Sequence, residues 1–575
     1  MCAFGFVVAS LLAVVACRRP LGKRTDQQTL EQDDIILHWL SDPTVSTLFC
    51  TDALRAAEAR ALASCEPMAL MRRAAEALAD AAARDARMSN PDRPIIALVG
   101  PGNNGGDALL ATVLLRERGF DARALLLSDE APRVEDARRA LEQARRARLP
   151  FIDQLPEVAV IEHLLFLDGL FGIGLSRAIE GRAADWIRRL NAAGARVIAA
   201  DVPSGIDADS GAIVGGSSAP VLRALRTVTF LGDKPGLHTG AGIEFSGVVE
   251  VHALGVDMLD LLAAERGPDV TVSSQSRTRQ SESSGPAQHG ALVGAAEAVQ
   301  LVRPLARTRG SHKGTHGHVA VWGGTAGMSG AALLAALGAQ RSGAGKVSVG
   351  APDRELPPFE TQPQLMTLSA RKPWPRVSAI VAGCGLGQSA RAEVLLARLL
   401  GEGDSALVLD ADALNLLASS RRLQRALGSR LGPSVLTPHP LEAARLLDSD
   451  VRSVQARRIE SACAIARNTG AIVLLKGAGS VCAHPQGHWA IIDAGNPALA
   501  TAGTGDVLAG VIGGLIAQGL TAATATCLGA WVHGRAAEAW AIAAGGVIGM
   551  SAAELPDLIR MTLNQTLAGT IRDSV

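Results

Sequence analysis

The sequence predicts an α/β protein of two domains, each a parallel sheet with helices on both faces. Short apolar runs alternate with helical segments along most of the 575 residues, a pattern typical of strand–helix–strand units. The pattern stops near Pro268 and resumes after Gly290, and a polar stretch lies between. A chain of this length exceeds one ordinary domain. We therefore expect domains over 46–265 and 291–575 and a linker over 266–290.

Composition favours a well-buried globular protein that does not bind nucleic acid. Hydrophobic residues make up 48% of the chain and charged residues 19%, which disfavours disorder. The 56 basic and 56 acidic side chains cancel, and tyrosine is absent, so neither a basic surface nor an aromatic stacking platform is expected. The eight cysteines form no CxxC pair. This scatter indicates free thiols in a reducing compartment, and we expect a cytoplasmic protein.

Residues 1–45 are predicted to be an extension outside the first domain. An apolar run ends in VVAC at Cys17, which has the look of a signal peptide or lipoprotein anchor. No Lys or Arg precedes it, and it is too short to span a bilayer. An upstream start site translated in error is the alternative. No later segment has the length and flanks of a membrane span, so no membrane partner is expected.

The sharpest feature of the first half is GPGNNGGDA, Gly100 to Ala108, between the apolar run IIALV and the helical segment ALLATVLLRERG. A glycine-rich turn between a strand and a helix presents backbone N–H groups and the positive end of the helix to a ligand. Phosphate is the ligand that such a turn most often binds. Asn103, Asn104 and Asp107 add oxygens that suit a cation or sugar hydroxyls. A tight turn with helix caps is the simpler alternative.

Two further acids follow apolar runs in this half. Asp168 stands in LDGLFGIG, and Asp201 and Ser204 stand in DVPSGID. Ligands of open parallel sheets bind outside the carboxyl ends of strands, so these loops are expected to meet in one crevice. Each loop alone is weak evidence, because Asp and Ser also cap helices.

NNGGD, DGLFGIG and DVPSG, in this order, resemble the NAD(P)HX epimerase family, the YjeF N-terminal domain, over about residues 48–260. The resemblance implies a Rossmann-like three-layer αβα domain. It also implies that Asn104, Asp168 and Ser204 bind potassium, for which hard oxygen ligands are suitable. Ala108 departs from the family's usual glycine. The substrate contacts implied by the resemblance are Asn103, Asn104, Gly105, Gly106, Asp107, Gly172, Ile173, Gly174, Leu175, Ser176, Arg177, Ala178 and Asp201.

Epimerisation requires reversible movement of a proton or hydroxyl at one carbon. Asp201 is our first candidate for the acid/base group. Lys234, in DKPGLHTG, is a second candidate, and a surface loop lysine is the equally weighted alternative.

The second half carries its own set of glycine and acid loops. Gly385 lies in AGCGLG, Asp410 and Asp412 in LDADALN, and His439 in TPHP. The two acids suit magnesium held through waters, although Asp412 could also cap the helix that follows. LKGAGS, Lys476 to Ser480, offers a cation and a hydroxyl to nucleotide phosphates. His312, Lys313, His316 and His318 lack standard zinc spacing, so a structural or substrate-side role is favoured.

The decisive motif is NPALATAGTGDVLAGVIGGL. Gly503, Thr504 and Gly505 open an apolar helix whose amides form an anion hole. Asp506 lies in the first turn, where a carboxylate can take a proton from a hydroxyl that attacks phosphorus. A capping aspartate is the alternative.

GTGD at a helix start resembles the ribokinase-like superfamily, and the fuller set of motifs resembles NAD(P)H-hydrate dehydratases over about residues 291–575. The implied fold is a ribokinase-like αβα domain. Ala331, Gly385, His439 and Asp506 would face the hydrated dinucleotide. Departures from the family pattern occur at Cys384, Gln362 to Gln364 and Leu441. The implied nucleotide contacts are Lys476, Gly477, Ala478, Gly479, Ser480 and Gly505.

The two resemblances imply one bifunctional repair enzyme. It would interconvert the R and S forms of NADHX and NADPHX and dehydrate the S form to NADH or NADPH, with ADP converted to AMP and phosphate and magnesium as cofactor. Fusion in one chain is typical of the ADP-using bacterial branch, and we expect a homo-oligomer. A small-molecule kinase and a non-enzymatic binding or scaffold role for the first half are the alternatives.

Overall fold

The computed structural model describes residues 46–258 and 286–569, apart from positions 91, 133 and 402. The predicted extension over 1–45 and residues 266–285 of the predicted linker lie outside the described residues. The predicted linker ends too late in one respect. Its last two residues, 289 and 290, already belong to a strand. No helix among the described residues is long and apolar enough to cross a membrane.

The described residues of the N-terminal half, 46–258, form eight strands and seven α-helices. The strands are β1 (Thr47–Phe49), β2 (Ile95–Val99), β3 (Ala122–Leu126), β4 (Phe151–Ile152), β5 (Leu165–Gly169), β6 (Arg196–Ala200), β7 (Arg226–Phe230) and β8 (Val248–His252). The helices are α1 (Thr51–Ser64), α2 (Ala69–Ser89), α3 (Asn103–Glu117), α4 (Glu135–Arg146), α5 (Val158–Ile161), α6 (Gly181–Ala192) and α7 (Gly242–Ser246). A short 3-10 turn covers Pro235–Leu237.

Seven of these strands form one parallel sheet in the order β4-β3-β2-β5-β6-β7-β8. Strands β2 and β5 are buried along their whole length because helices cover both faces. Apolar side chains of α2, α3 and α4 pack on one face, and those of α6 pack on the other. The predicted three-layer α/β arrangement is therefore confirmed. The order reverses between β2 and β5, which opens a crevice at the carboxyl ends of these strands.

In the C-terminal half, the part of the chain that the structure describes, 286–569, forms ten strands and eleven α-helices. The strands are β9 (His289–Val293), β10 (His318–Trp322), β11 (Lys346–Ala351), β12 (Met366–Ser369), β13 (Ala379–Ala382), β14 (Ala406–Leu409), β15 (Ser434–Leu436), β16 (Ile472–Leu475), β17 (Val481–Ala483) and β18 (Trp489–Ile492). The helices are α8 (Ala295–Val302), α9 (Ser329–Arg341), α10 (Ala390–Gly401), α11 (Asp412–Ser419), α12 (Arg421–Gly428), α13 (Pro440–Leu446), α14 (Val451–Ala456), α15 (Arg458–Thr469), α16 (Thr504–Ala517), α17 (Ala522–Ala544) and α18 (Leu555–Leu567). Two 3-10 turns cover Arg303–Leu305 and Pro497–Leu499.

These ten strands, together with β1 of the N-terminal half, form a second sheet in the order β1-β9-β18-β17-β16-β15-β14-β13-β10-β11-β12. Within this order, the seven neighbouring strands β16-β15-β14-β13-β10-β11-β12 run parallel. Two large apolar clusters cover the two faces of the sheet. The predicted α/β fold class is thus also confirmed for this half. Strand β1 is a surprise, because it precedes the first domain in sequence but pairs antiparallel with β9 of the second. The apolar segment Thr47–Phe49 completes the edge of that sheet and links the two halves.

Helix α16 is held tightly against the second sheet and against helix α9. Gly510 lies so close to the carbonyl of Ala335 that an added Cβ would stand 1.9 Å from that oxygen. A Cβ added at Gly338 of α9 would likewise lie 2.3 Å from the carbonyl oxygen of Val507. These small residues let the two helix backbones touch. The contact fixes the amino end of α16 above the carboxyl ends of the strands.

Candidate active sites

The N-terminal crevice is a cavity of about 670 Å³ at the carboxyl ends of β2, β5, β6 and β7. The structure brings three of the predicted loops together there. The predicted residues that line it are Asn103, Asn104, Asp107, Gly172, Ile173, Gly174, Leu175, Ser176, Arg177 and Asp201. Helices α1 and α2 close the side of the cavity with apolar residues such as Leu54 and Met71, and α1 adds Glu58. This size and mixed lining suit a small-molecule ligand.

Three of the predicted substrate contacts lie behind the wall of the cavity. A Cβ at Gly105 would meet the carbonyl of Gly100, and one at Gly106 would meet the side chain of Met71. Ala178 packs against Gly215. Close packing alone accounts for the small residues at all three positions, and the structure does not place them on the cavity surface.

The predicted metal ligands meet directly beneath the cavity. The carboxylate of the fully buried Asp168 accepts hydrogen bonds from the Ser204 amide at 2.8 Å and from its hydroxyl at 2.7 Å. Asn104 Nδ2 donates to the carbonyl oxygens of Phe171 at 3.1 Å and Ala200 at 2.9 Å. Burial raises the pKa of Asp168 to about 6, against the lowering effect of the bonds from Ser204. Oxygen atoms of Asp168, Ser204, Phe171 and Ala200 therefore lie in one buried region, together with the amide nitrogen of Asn104.

Asp201 and Lys234 form a buried ion pair at the cavity. Lys234 is 1% exposed, and its Nζ lies 2.8 Å from Asp201 Oδ1. The same ammonium donates to the hydroxyl of Thr229 at 2.7 Å and to the carbonyl of Phe230 at 3.0 Å. The sequence did not decide whether Lys234 is a lysine of the site or of a surface loop. In the structure it is buried at the cavity. Asp201 adopts a left-handed backbone with φ 65°, a conformation whose strain concentrates at functional sites.

Two other carboxyl groups face the same cavity with perturbed acidity. Burial raises the pKa of Asp107 well above its usual value, and the nearby Asp201 adds to the effect. Burial and Asp201 also raise the pKa of Glu58. The cavity thus gathers the buried cation of Lys234 and four acids, Glu58, Asp107, Asp136 and Asp201, an arrangement suited to moving protons. Sequence reasoning missed Glu58, because the helix that carries it shows only an apolar periodicity.

The C-terminal site is built around Asp506 in the first turn of α16. Cys384, Asp410 and Asp506 bring their side-chain ligand atoms within 4.8 Å of one another. Burial, and then the charge of Asp410, raises the pKa of Asp506 to about 6, and a hydrogen bond from the Cys384 thiol opposes the rise. Gly503 caps the helix with φ 93°. The backbone N–H groups of the first turn have no acceptor within the helix. They lie at the carboxyl edge of the sheet, where this cluster is found.

Lys476 supplies the positive charge of this cluster. Its Nζ lies 2.7 Å from Asp410 Oδ1, and a Cβ at Gly505 would lie 3.3 Å from the same nitrogen. Burial alone would lower the pKa of Lys476, but the carboxylates of Asp410 and Glu442 raise it. The ammonium, the amide-rich helix end and Asp506 are therefore adjacent. Thr504 acts differently, since its hydroxyl donates to the carbonyl oxygens of Leu499 and Thr501 within the loop.

The remaining predicted contacts of the C-terminal site lie around this cluster. An added Cβ at Gly385, which has φ 62°, would lie 3.2 Å from Ala331 Cβ, so the two predicted residues are neighbours. His439 caps α13, where its Nδ1 accepts from the amides of Leu441 at 3.1 Å and Glu442 at 3.3 Å. Burial and Lys476 lower the pKa of His439. The Nδ1 atom therefore acts as an acceptor in this capping role, and Nε2 lies 3.2 Å from Glu442 Oε1.

Asp412 does not fill the capping position that the sequence allowed for it. Ala411 stands at the cap with φ 46°, and Asp412 is the first residue of α11. The carboxylate instead accepts from the Gly387 amide at 2.8 Å and fixes the glycine loop beside the cluster. Of the two predicted acids, Asp410 is the one that joins Asp506. A carboxylate pair of this kind suits magnesium held through waters, whereas the thiol of Cys384 does not.

Both halves match known protein families. Residues 67–236 match the model described as YjeF-related protein N-terminus, and residues 319–560 match the model described as NAD(P)H-hydrate dehydratase. The chain is 35% identical to a bifunctional NAD(P)H-hydrate repair enzyme of Moorella thermoacetica, over 78% of this chain and 83% of the relative. It is 34% identical to the bifunctional NAD(P)H-hydrate repair enzyme of Escherichia coli K12, over 86% of this chain and 89% of that one.

Two further proteins are similar to a little under half of this chain. The chain is 44% identical to an ADP-dependent (S)-NAD(P)H-hydrate dehydratase of Neisseria meningitidis, over 45% of this chain and 89% of the relative. A solved ADP/ATP-dependent NAD(P)H-hydrate dehydratase of Bacillus subtilis, co-crystallised with ATP/Mg²⁺, is 29% identical over 48% of this chain and 98% of that chain, with a TM-score of 0.43.

Proposed function

The chain belongs to the family of bifunctional NAD(P)H-hydrate repair enzymes, and we propose from this premise how its two sites divide the work. The N-terminal domain epimerises R- and S-NAD(P)HX. The C-terminal domain dehydrates S-NAD(P)HX to NAD(P)H with ADP as the phosphoryl donor. The observation that carries the proposal is the placement of Asp506 at the amino end of α16, beside Lys476 and Asp410.

Asp506 acts as the base of the dehydratase. Hydroxide is a poor leaving group, so the hydroxyl of the hydrated ring is first phosphorylated. Asp506 takes the hydroxyl proton, the oxygen attacks the β-phosphorus of ADP, and AMP leaves. The ring nitrogen lone pair then expels phosphate, and loss of the adjacent proton regenerates NAD(P)H. The raised pKa of Asp506 brings its basicity closer to that required at neutral pH.

The residues around Asp506 bind the nucleotide and the substrate. Lys476 to Ser480 and Gly505 hold the ADP phosphates, and the first-turn amides of α16 stabilise charge on the transferred group. Ala331, Gly385 and His439 face the hydrated dinucleotide. Magnesium, when bound, neutralises phosphate charge, and Asp410 and Asp506 are the residues that would hold it through waters.

Asp201 acts as the acid/base group of the epimerase. Inversion requires one bond at the hydrated carbon to break and to form again on the opposite face. Asp201 can accept a proton and return it, and the ion pair with Lys234 holds its carboxylate toward the cavity. The substrate-binding wall is formed by Asn103 to Asp107 and Gly172 to Ala178, with Gly105, Gly106 and Ala178 supporting it from behind.

Potassium binds beneath this cavity at Asn104, Asp168 and Ser204. The support is chemical: the Asp168 carboxylate, the Ser204 hydroxyl and two backbone carbonyl oxygens lie together there, and the side-chain amide of Asn104 lies beside them. Hard oxygen ligands with a single negative charge suit a monovalent cation. Potassium is expected to raise the melting temperature and the epimerisation rate, whereas lithium at equal ionic strength does neither. Equal effects of both ions would contradict the site.

The central experiment is a dehydration assay with S-NADHX, with ADP compared against ATP. We expect NADH and inorganic phosphate in equal amounts, with ADP preferred. A stable phosphorylated product would instead indicate a small-molecule kinase. A protein that neither dehydrates the S form nor epimerises the R form would refute the proposal.

The setting of these activities is part of the same proposal. We propose a cytoplasmic homo-oligomer with two functional units, residues 46–265 and a second unit that begins with β9 at His289 rather than at 291. Free thiols at all six described cysteines support a reducing compartment. Light scattering after gel filtration tests the assembly state, and a monomeric mass would contradict it.

A further inference from the structure

We infer that Thr239 of the N-terminal domain, acting through Arg458, is a positioning residue for the nucleotide loop of the dehydratase. The nucleotide loop is defined here as Lys476 to Ser480. The inference rests on the proposed function, because it concerns the shape of the loop that would hold ADP. Its subject is a contact between the two domains that neither active site uses directly.

The nucleotide loop is bound on one side by the chain of the other domain. Gly240 N donates to the carbonyl of Ala478 at 3.1 Å, and the Thr239 hydroxyl donates to the carbonyl of Gly479 at 2.8 Å. Gly479 has φ 59°, and a Cβ there would lie 1.9 Å from the carbonyl oxygen of His238. Thr239 is fully buried. The loop therefore has no space to shift toward the N-terminal domain.

Arg458 binds the other side of the same loop. Its side chain is buried at 1% exposure, and its Nε donates to the Thr239 hydroxyl at 3.0 Å. Nη2 lies 3.3 Å from each of three carbonyl oxygens, those of Leu475, Lys476 and Gly479. One guanidinium thus links the backbone of the loop to one hydroxyl of the other domain. Hydrogen bonds from a charged donor are the stronger kind.

The contact reaches both sites. Lys476, whose carbonyl Arg458 binds, carries the ammonium beside Asp410 and Gly505. Thr239 follows Lys234 of the epimerase cavity by five residues, across the turn Pro235–Leu237. The loop is therefore fixed in one conformation before any nucleotide arrives. Where only a fraction of molecules holds the binding conformation, the apparent dissociation constant rises by the inverse of that fraction.

The test is Thr239→Val, which removes the hydroxyl and keeps the volume nearly unchanged. Arg458 Nε and the Gly479 carbonyl then lose a partner. We expect the KM for ADP to rise about tenfold, a change of about 1.4 kcal/mol. The kcat should stay within about twofold of the wild-type value, because saturating ADP selects the binding conformation. Calorimetry should show the same rise in the Kd for ADP.

Two matched variants separate positioning from general destabilisation. Thr239→Ser keeps the hydroxyl and should retain the wild-type KM. Thr227→Val makes the same change at another buried threonine of this domain, whose hydroxyl donates to the Ser246 carbonyl at 2.7 Å, remote from the nucleotide loop. It should leave the KM for ADP unchanged. A wild-type KM in Thr239→Val, or an equal rise in Thr227→Val, would overturn the inference.

If Thr239→Val does not fold, Arg458→Lys carries the test. Lysine keeps the charge but has no second nitrogen to bind the three carbonyl oxygens, so the same rise in KM is expected, and an unchanged KM overturns the inference. Failure of the proposed function is recognised separately, since the wild-type protein itself would then neither bind nor use ADP.

Discussion

Replacing Lys234 with methionine tests whether the buried ion pair of the N-terminal cavity supports the fold as well as the chemistry. The side chain of Asp201 is 13% exposed and that of Lys234 is 2% exposed. In Lys234→Met, Asp201 would keep only long contacts to the Phe230 amide at 3.2 Å and the Thr229 hydroxyl at 3.4 Å. Breaking a buried pair from one side costs about 3 kcal/mol or more, since it leaves an uncompensated charge.

The cost is measured as the free energy of unfolding in urea, followed by circular dichroism. A loss of about 3 kcal/mol corresponds to a fall of roughly 6–12 °C in the melting temperature of a domain of this size. Asp201→Asn combined with Lys234→Met removes both charges and should recover most of the stability. Neither variant should epimerise NAD(P)HX, because each disrupts the acid/base pair.

The exposed pair between Arg188 and Asp185, whose side chains are 63% and 71% exposed, provides the control. Arg188→Met should change the free energy of unfolding by about 1 kcal/mol or less. If Lys234→Met unfolded at the wild-type urea concentration, the pair would not carry the stability assigned to it. Normal epimerisation by Lys234→Met would remove Lys234 from the mechanism.

Three further changes test the other contacts. Cys384→Ala removes a thiol hydrogen bond that lowers the pKa of Asp506. The acid limb of the dehydratase pH–rate profile should therefore move above about pH 6, with slower turnover near pH 6 and wild-type turnover near pH 8. An unshifted profile would contradict this expectation. Ser204→Ala removes a hydrogen-bond donor to the buried Asp168 carboxylate and should lower the free energy of unfolding by about 1–3 kcal/mol. It should also abolish the rise in melting temperature that potassium causes. An undiminished rise would exclude Ser204 as a potassium ligand. Gly505→Ala places a methyl group 3.3 Å from Lys476 Nζ. It should raise the KM for ADP by about tenfold without changing the epimerisation rate. An unchanged KM would show that this turn does not hold the phosphates.

The main architecture could be predicted because parallel strands buried on both faces leave a clear pattern. Runs such as IIALV and LFLDG read as strands, and the acids and glycines that follow them meet at the carboxyl edge of the sheet. This geometry brings Ser204 into contact with Asp168, and both Ser204 and Asn104 into contact with the Phe171 carbonyl. The same reasoning placed Asp506 at the amino end of a buried helix.

The sequence could not reveal contacts that depend on how distant segments pack. Strand β1 has three residues, and nothing local indicates that it would pair with β9, about 240 positions later. Lys234 stands in a loop of ordinary composition, and only the fold turns its ammonium toward Asp201. Cys384 and Asp506 belong to different glycine loops, and they meet because α16 packs closely on β13, the strand that leads to Cys384; a Cβ at Gly513 would lie 2.4 Å from the side chain of Val381.

The most direct test of the whole account is Asp506→Asn, assayed for ADP-dependent conversion of S-NADHX to NADH. Asparagine keeps the shape of the side chain but cannot accept the hydroxyl proton. We predict that kcat falls by at least about 100-fold, while ADP binding and epimerisation persist. A variant that regenerates NADH at the wild-type rate would contradict the role of Asp506 as the base and the mechanism built on it.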